Sequence, residues 1–286
     1  VGHDDAFAAA CGEAARAAQA AGTTVVRGQD GWLFLASELR HLSVGQFWGE
    51  YAAEVSRATR PAWADPLPAI LDVKRQLDER GVRLLLVPVP PKAVVYAAAL
   101  PGAPDTTSAG STLKQFYALL RKNGVEVLDL EPDFQKARAS EGDPLFCRQD
   151  SHWSGRGCVL ASERIASVLR PMLTASNRSA ATGKWDNVEI AGDLWKALEE
   201  PRPPRETVRL RRVGSIASKG DEPIAPQTDS PVLLLGDSHN LIFHDGGDML
   251  ARGAGLPDQL ALELGMPVDL VAVRGSGATP ARINLL

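Results

Sequence analysis

An α/β fold with a mostly parallel central sheet is predicted by three features of the chain. Short unbroken apolar runs, Val82–Val87, Val125–Leu128, Val232–Leu235 and Val268–Val273, have the hydrophobicity of strands buried on both faces. Segments with apolar residues at helical spacing lie between them. Alternation of the two calls for right-handed crossovers and parallel pairing. A chain of 286 residues, 44% hydrophobic, can bury one large core. A single domain over 1–286 is therefore expected. It is interrupted over about 174–230 by an irregular insertion or a strand-and-loop excursion from the sheet, where Pro201, Pro203, Pro204, Pro223 and Pro226 stand among scattered arginines.

The elements follow in order. Residues 4–21 are rich in alanine with no helix breaker before Gly22, and predict a helix. Thr23–Arg27 and Trp32–Leu35 flank Gly28-Gln-Asp-Gly31, the pattern of a β-hairpin. Residues 42–64 carry Phe47, Trp48, Tyr51 and Trp63 without a clean period, which predicts aromatic packing under a loop or short helix. Leu67, Ile70, Leu71 and Leu77 form a helical stripe that ends at Gly81, ahead of the strand Val82–Val87. A helix over 111–122 stops at Gly124 before Val125–Leu128. Ile165, Val168, Leu169 and Met172 repeat every three to four residues, so 155–171 is a helix, and Leu256–Leu264 is a shorter one before the last strand.

Charge excludes one class of partner. Lys and Arg total 31 against 35 Asp and Glu, so the chain lacks the basic excess of a nucleic-acid binder. No apolar run approaches the ~20 residues of a membrane span. The chain opens on Val1, not Met, and a removed signal peptide or membrane anchor is the expectation. Cys11, Cys147 and Cys158 show no C-x-x-C spacing and no metal pattern.

Four segments carry candidate chemistry. Val232–Leu235 ends in Gly236-Asp-Ser-His-Asn240, which puts the Ser238 hydroxyl at the carboxyl end of a strand, the edge where open α/β sheets bind ligands. A helix N-cap would use the same serine. The segment Gln149-Asp-Ser-His-Trp-Ser154 supplies what a serine nucleophile needs: His152 to take its proton, and Asp150 to orient the imidazole and stabilise its charged form. Asp-x-His recurs as Asp237-Ser-His239. With His244, Asp245 and Asp248, the two pairs offer enough ligands for zinc or a two-metal hydrolase. Val87-Pro-Val-Pro-Pro-Lys92 follows a strand and offers Lys92 to an anionic substrate, or to solvent on a rigid turn. Arg274-Gly-Ser-Gly277 follows the last strand, where Gly275 and Gly277 permit close backbone approach or form a plain turn.

Together Gly31-Trp-Leu-Phe-Leu35, Val87-Pro-Val-Pro-Pro-Lys92, Asp150-Ser-His-Trp153 and Leu235-Gly-Asp-Ser238 resemble, in order, the motifs of the AlgJ/AlgX-type alginate O-acetyltransferases. The resemblance spans about residues 30 to 280. It implies a flavodoxin-like fold of the SGNH-hydrolase type, with Ser238 as nucleophile and Asp150 and His152 completing the triad. It implies an acetyl-serine intermediate, an exopolysaccharide acceptor such as alginate or cellulose, and a periplasmic location. A membrane-bound acyltransferase is the implied source of acetyl groups. No cofactor and no metal are expected. The Gly-x-Asn-Asp block of general SGNH hydrolases has no counterpart here, so the second oxyanion donor falls to Asn240 or to the backbone of Gly275–Gly277. A carbohydrate-binding module, present in longer members, has no counterpart within the 286 residues either. Lys92 and Trp153 are the expected substrate contacts.

Three other readings share these residues: an acetylesterase of the same serine mechanism, a metal-dependent hydrolase, and a non-catalytic scaffold of a polysaccharide-export complex. In an oxidising periplasm Cys147 and Cys158, on either side of the Asp150/His152 loop, either close a disulfide or remain thiols, with Cys11 unpaired in both cases.

Overall fold

The structure is a computed structural model that describes residues 3–104, 111–173, 181–216 and 222–275. The chain divides into two compact units, Val1–Gln135 and Lys136–Leu286.

The first unit opens with α1 (His3–Ala20), whose Phe7, Cys11 and Ala15 are buried. The hairpin β1 (Val25–Arg27) and β2 (Leu33–Leu35) follows, antiparallel with Val26 opposite Phe34. Gly28 is required there, because a Cβ would lie 2.5 Å from the Ala99 carbonyl oxygen. The helices α2 (Ala36–Ser43), α3 (Ala52–Val55) and α4 (Pro66–Asp78) come next. Asp65 caps α4 by accepting the Leu67 N–H at 2.9 Å, with Pro66 in the first turn where its missing N–H costs nothing. Then come β3 (Leu85–Leu86), α5 (Lys92–Val95), α6 (Ser111–Lys122), β4 (Glu126–Val127) and α7 (Glu131–Arg138), which carries the chain into the second unit. The buried face of α6, Leu113, Phe116, Tyr117 and Leu120, forms a core with Trp48, Val125 and Val127. Phe47 and Trp48 meet Phe116 at ring distances of 4.9 and 5.2 Å, the packing expected of the aromatic stretch. Tyr51 and Trp63 do not join it and are exposed.

The second unit contains α8 (Gly155–Leu169), β5 (Ala181–Ile190), α9 (Asp193–Lys196), β6 (Glu206–Ser215), β7 (Leu233–Gly236), α10 (Ser238–Leu241), α11 (Leu256–Leu264) and β8 (Asp269–Ala272). Cys158, Ala161, Ile165 and Ala166 form the buried face of α8.

Two expectations are met in part. Among the described residues the strands pair two by two: β3–β4 and β7–β8 are parallel, β1–β2 and β5–β6 antiparallel. The mostly parallel central sheet read from the apolar runs is not seen in this pairing. The reason is visible at Val82–Val87, where only Leu85 and Leu86 form ladder pairs and Val82 is exposed. The second concerns 174–230. Within it β5 and β6 pair along their full ten-residue lengths, the longest ladder among the described residues. Most of β5 is exposed, so the apolar alternation that announces a strand is missing from its sequence.

Candidate active site

The loop between Leu145 and Ser154 is a tight hairpin. Phe146 pairs with Trp153, the Cys147 N–H donates to the His152 carbonyl at 3.2 Å, and the Ser154 N–H donates to the Leu145 carbonyl at 2.9 Å. Ser154 then caps α8, its Oγ accepting the Gly157 N–H. Gly157 lets the two limbs close, since a Cβ would lie 2.2 Å from the Leu145 carbonyl oxygen. The tip of this hairpin presents Asp150 and His152. Ser238 starts α10 directly after β7, in a turn fixed by Asp237, whose carboxylate accepts the His239 N–H at 3.0 Å.

The three side chains meet within the second unit. His152 Nδ1 lies 2.6 Å from Asp150 Oδ1, and His152 Nε2 lies 2.8 Å from Ser238 Oγ. The arrangement matches Nδ1–H donating to the carboxylate and Nε2 accepting the hydroxyl proton, the order a serine nucleophile requires. Asp150 also accepts the His152 N–H at 3.0 Å and the Asp193 N–H at 2.8 Å. Burial opposes charge on Asp150, but these bonds and the imidazole more than offset it, holding the carboxyl well below the usual carboxylate range. Burial likewise works against charge on His152. The hydrogen bond and charge of Asp150, with Asp193 and Asp237, outweigh it and raise the imidazole above its ordinary value.

A second imidazole flanks the first. His239 sits with its ring 4.6 Å from that of His152 and edge-on to Trp153 at 5.3 Å. Burial, then the nearby His152, hold its pKa down despite Asp237. Trp153 is 1% exposed, and its indole N–H donates to the His239 carbonyl at 3.1 Å. It therefore ties the Asp150/His152 hairpin to the Ser238 turn and offers no face for a sugar to stack on, which corrects the expected substrate contact. Lys92 is corrected too. It belongs to the first unit, is 1% exposed, and donates from Nζ to the Leu33 carbonyl at 2.6 Å with the Trp32 and Phe34 rings beside it. A long apolar stem and a buried carbonyl account for its position without an anionic ligand. Asn240 is buried with its amide against Gly236, where a Cβ would come 2.2 Å from Asn240 Nδ2. Gly275 is an exposed residue with φ of 73°, and Gly277 lies outside the described residues.

The two Asp-x-His pairs do come together, but not with the further ligands a metal centre would take. His244 Nδ1 is bonded to Asp258 Oδ2 at 2.9 Å, and Asp245 pairs with Arg274. Among the described residues, the group of carboxylates and imidazoles close enough to hold an ion is Asp150, His152 and Asp193. It fits a metal poorly, because both ring nitrogens of His152 already have partners and Asp150 accepts several N–H groups. No disulfide joins Cys147 to Cys158. The Cys147 thiol reaches the Trp153 carbonyl at 3.6 Å, and Cys158 is fully buried on α8.

Four supporting groups carried no signal in the sequence. The Glu206 carboxylate accepts the N–H groups of Arg148 and Gln149, each at 2.8 Å. Gly192 allows the 192–195 turn to lie on the hairpin tip, and the Trp195 N–H donates to the Gln149 carbonyl at 3.0 Å. Asp193 binds both Asp150 and Ser151. The region read as an irregular insertion thus buttresses the Asp150/His152 hairpin.

The family model "SGNH hydrolase-like domain, acetyltransferase AlgX" matches residues 25–286. The probable alginate O-acetylase AlgJ of Pseudomonas aeruginosa is 29% identical over 271 residues, covering 92% of this chain and 64% of that protein. The O-acetyltransferase domain of Pseudomonas putida AlgJ has a similar structure, with a TM-score of 0.68, 23% identity, and coverage of 92% of this chain and 84% of that one. Pseudomonas aeruginosa AlgX aligns with a TM-score of 0.61 and 18% identity over 88% of this chain and 54% of that one. The chain spans 44% to 64% of the length of the AlgJ relatives it matches.

Proposed function

The chain belongs to the family of SGNH hydrolase-like domains represented by the acetyltransferase AlgX, and from that premise we propose that it is a serine O-acetyltransferase acting on hydroxyl groups of an exopolysaccharide. The observation that carries this reading is the continuous hydrogen-bond chain from Asp150 through His152 to Ser238. The family model runs across both compact units, which supports a single catalytic domain over 1–286.

The reaction proceeds in two halves. Ser238 Oγ attacks the acetyl carbonyl while His152 Nε2 takes its proton, and Asp150 stabilises the imidazolium. The tetrahedral intermediate collapses, the donor leaves with the proton from His152, and acetyl-Ser238 remains. A sugar hydroxyl then gives its proton to His152 and attacks the acetyl carbonyl; as the bond from Ser238 Oγ to the acetyl carbon breaks, His152 returns the proton to Oγ, and the acetylated sugar is released with the enzyme restored. Water in the same place would give acetate. Asn240, two residues after the nucleophile, is the side chain we assign to the oxyanion. We further infer a periplasmic setting, with acetyl groups delivered by a membrane-bound acyltransferase. No described helix is long and apolar enough to cross a membrane.

The test is Ser238→Ala, assayed with an activated acetyl ester and an oligosaccharide acceptor and read by mass spectrometry. A loss of at least about 10³-fold in both ester cleavage and acetyl transfer is expected, with thermal unfolding unchanged. A variant that keeps more than a tenth of the activity has another nucleophile. Free acetate as the sole product across uronate and glucan oligomers would replace transfer with hydrolysis.

A further inference from the structure

Asp193 stands beside the triad without belonging to it. Its Oδ1 accepts the Ser151 N–H at 2.7 Å and the Leu194 N–H at 2.7 Å, and its Oδ2 accepts the Ser151 hydroxyl. Its own N–H donates to Asp150 Oδ2 at 2.8 Å. Ser151 lies between the two triad members on the hairpin tip, and its Oγ is 3.4 Å from His152 Nδ1. The turn at 192–195 and the tip at 149–152 therefore hold each other reciprocally: carboxylate to Ser151, amide to Asp150, and Trp195 N–H to Gln149. The three potential ligand atoms on Asp150, His152 and Asp193 all lie within 4.8 Å of one another, so a second carboxylate stands near the imidazole beside Asp150, which is bonded to it at 2.6 Å.

We propose that Asp193 is a positioning residue for this reaction, fixing the Asp150/His152 hairpin through Ser151 and adding a second negative charge that makes His152 a stronger base. The proposal rests on the serine mechanism above. Hydrogen bonding and charge do different work here, and they separate on mutation. The bonds to Ser151 set geometry, which governs the maximum rate. The charge sets how readily the imidazole holds a proton, which governs where activity fades with acid. Other groups act on the same ring: Asp150 on its own hairpin, and Asp237 and His239 from the Ser238 turn. All of them remain in an Asp193 variant, so a change in the acid limb is attributable to Asp193.

Asp193→Asn removes the charge and keeps a side chain of the same shape. Ser151→Ala keeps the charge and removes one geometric contact. In Asp193→Asn the acid limb of the pH–rate profile moves to lower pH, and well below the midpoint the variant keeps about fourfold more of its plateau rate than the wild type. That is the contribution of a unit charge about 5 Å away acting through water. Ser151→Ala lowers the plateau and leaves the limb in place. Titration of the His152 ring by NMR reads the same shift without needing turnover. A shift by NMR in a chain that turns over no acetyl ester would sink the serine mechanism and leave the electrostatic role standing. An unmoved limb and an unmoved ring titration in Asp193→Asn would overturn the proposal and reduce Asp193 to a loop contact.

Discussion

Gly192 is the position at which a single methyl group tests how the site is built. Its backbone, φ −61° and ψ 161°, is one that alanine adopts freely, so the substitution carries no conformational penalty of its own. The obstacle is contact. A Cβ there would stand 2.2 Å from the Gln149 carbonyl oxygen, 2.7 Å from its carbon and 2.8 Å from the Asp150 Cβ. Ordinary van der Waals contact for a Cβ begins at 3.4 Å, so hairpin tip and turn must separate by roughly 1 Å. The bond from the Asp193 N–H to Asp150, now 2.8 Å, is the first to be lost, and the His152 ring follows its carboxylate. Overpacking of this kind costs about 1–3 kcal/mol of stability. A displacement of about 1 Å at the reacting groups costs on the order of 10²-fold in rate. Gly192→Ala should therefore fold, melt several degrees lower, and hydrolyse an activated acetyl ester about 10²-fold more slowly at a temperature where it is fully folded. Wild-type turnover in the folded variant would show that the turn at 192–195 does not hold the triad, and the buttressing argument would fail.

Two further outcomes follow from the same geometry. His152 must be neutral to accept the Ser238 proton, and its pKa is raised, so the rate should fall as pH drops through a midpoint above the ordinary histidine value of about 6.5; a pH–rate profile still flat below pH 6 would contradict this. Lys92→Met should lower the melting temperature, because it leaves the Leu33 carbonyl without its ammonium donor and Glu38 without a nearby positive charge, at a cost of about 1–3 kcal/mol, while the KM for an oligosaccharide acceptor stays the same. A KM raised tenfold in a variant with unchanged melting would return Lys92 to the substrate.

Asp150, His152 and Ser238 were legible in the sequence because each is defined locally. Asp-x-His puts two side chains on one loop, and a serine after a buried strand sits at a known edge. Hairpin β1–β2 was legible for a similar reason, its turn glycines standing between two short apolar runs. What supports the triad was not legible, because it comes from far away along the chain. Glu206 is 57 residues from Gln149, and Asp193 is 43 residues from Asp150. In a proline-rich stretch Gly192-Asp193 reads as one more turn. Lys92 and Trp153 were misjudged for a different reason. Chemical capacity was visible, but burial was not, and the Leu33 carbonyl that takes the Lys92 ammonium is 59 residues upstream. The central sheet was overestimated because an apolar run records hydrophobicity, not the number of residues that find a partner strand.

The bond between His152 and Ser238 closes a loop of 86 residues. Bringing such distant points together costs chain entropy that grows with the logarithm of the span. Nested inside that loop, the β5–β6 ladder pairs residues that are near neighbours by comparison, with Ile190 opposite Glu206 at its inner end. Once the ladder has zipped, much of the intervening chain is already committed, and the remaining search is shorter. Its inner end also delivers Gly192 and Glu206, the two residues against which the Asp150/His152 hairpin rests. An excursion that looks like an interruption of the fold thereby shortens the span that the contact between His152 and Ser238 has to close.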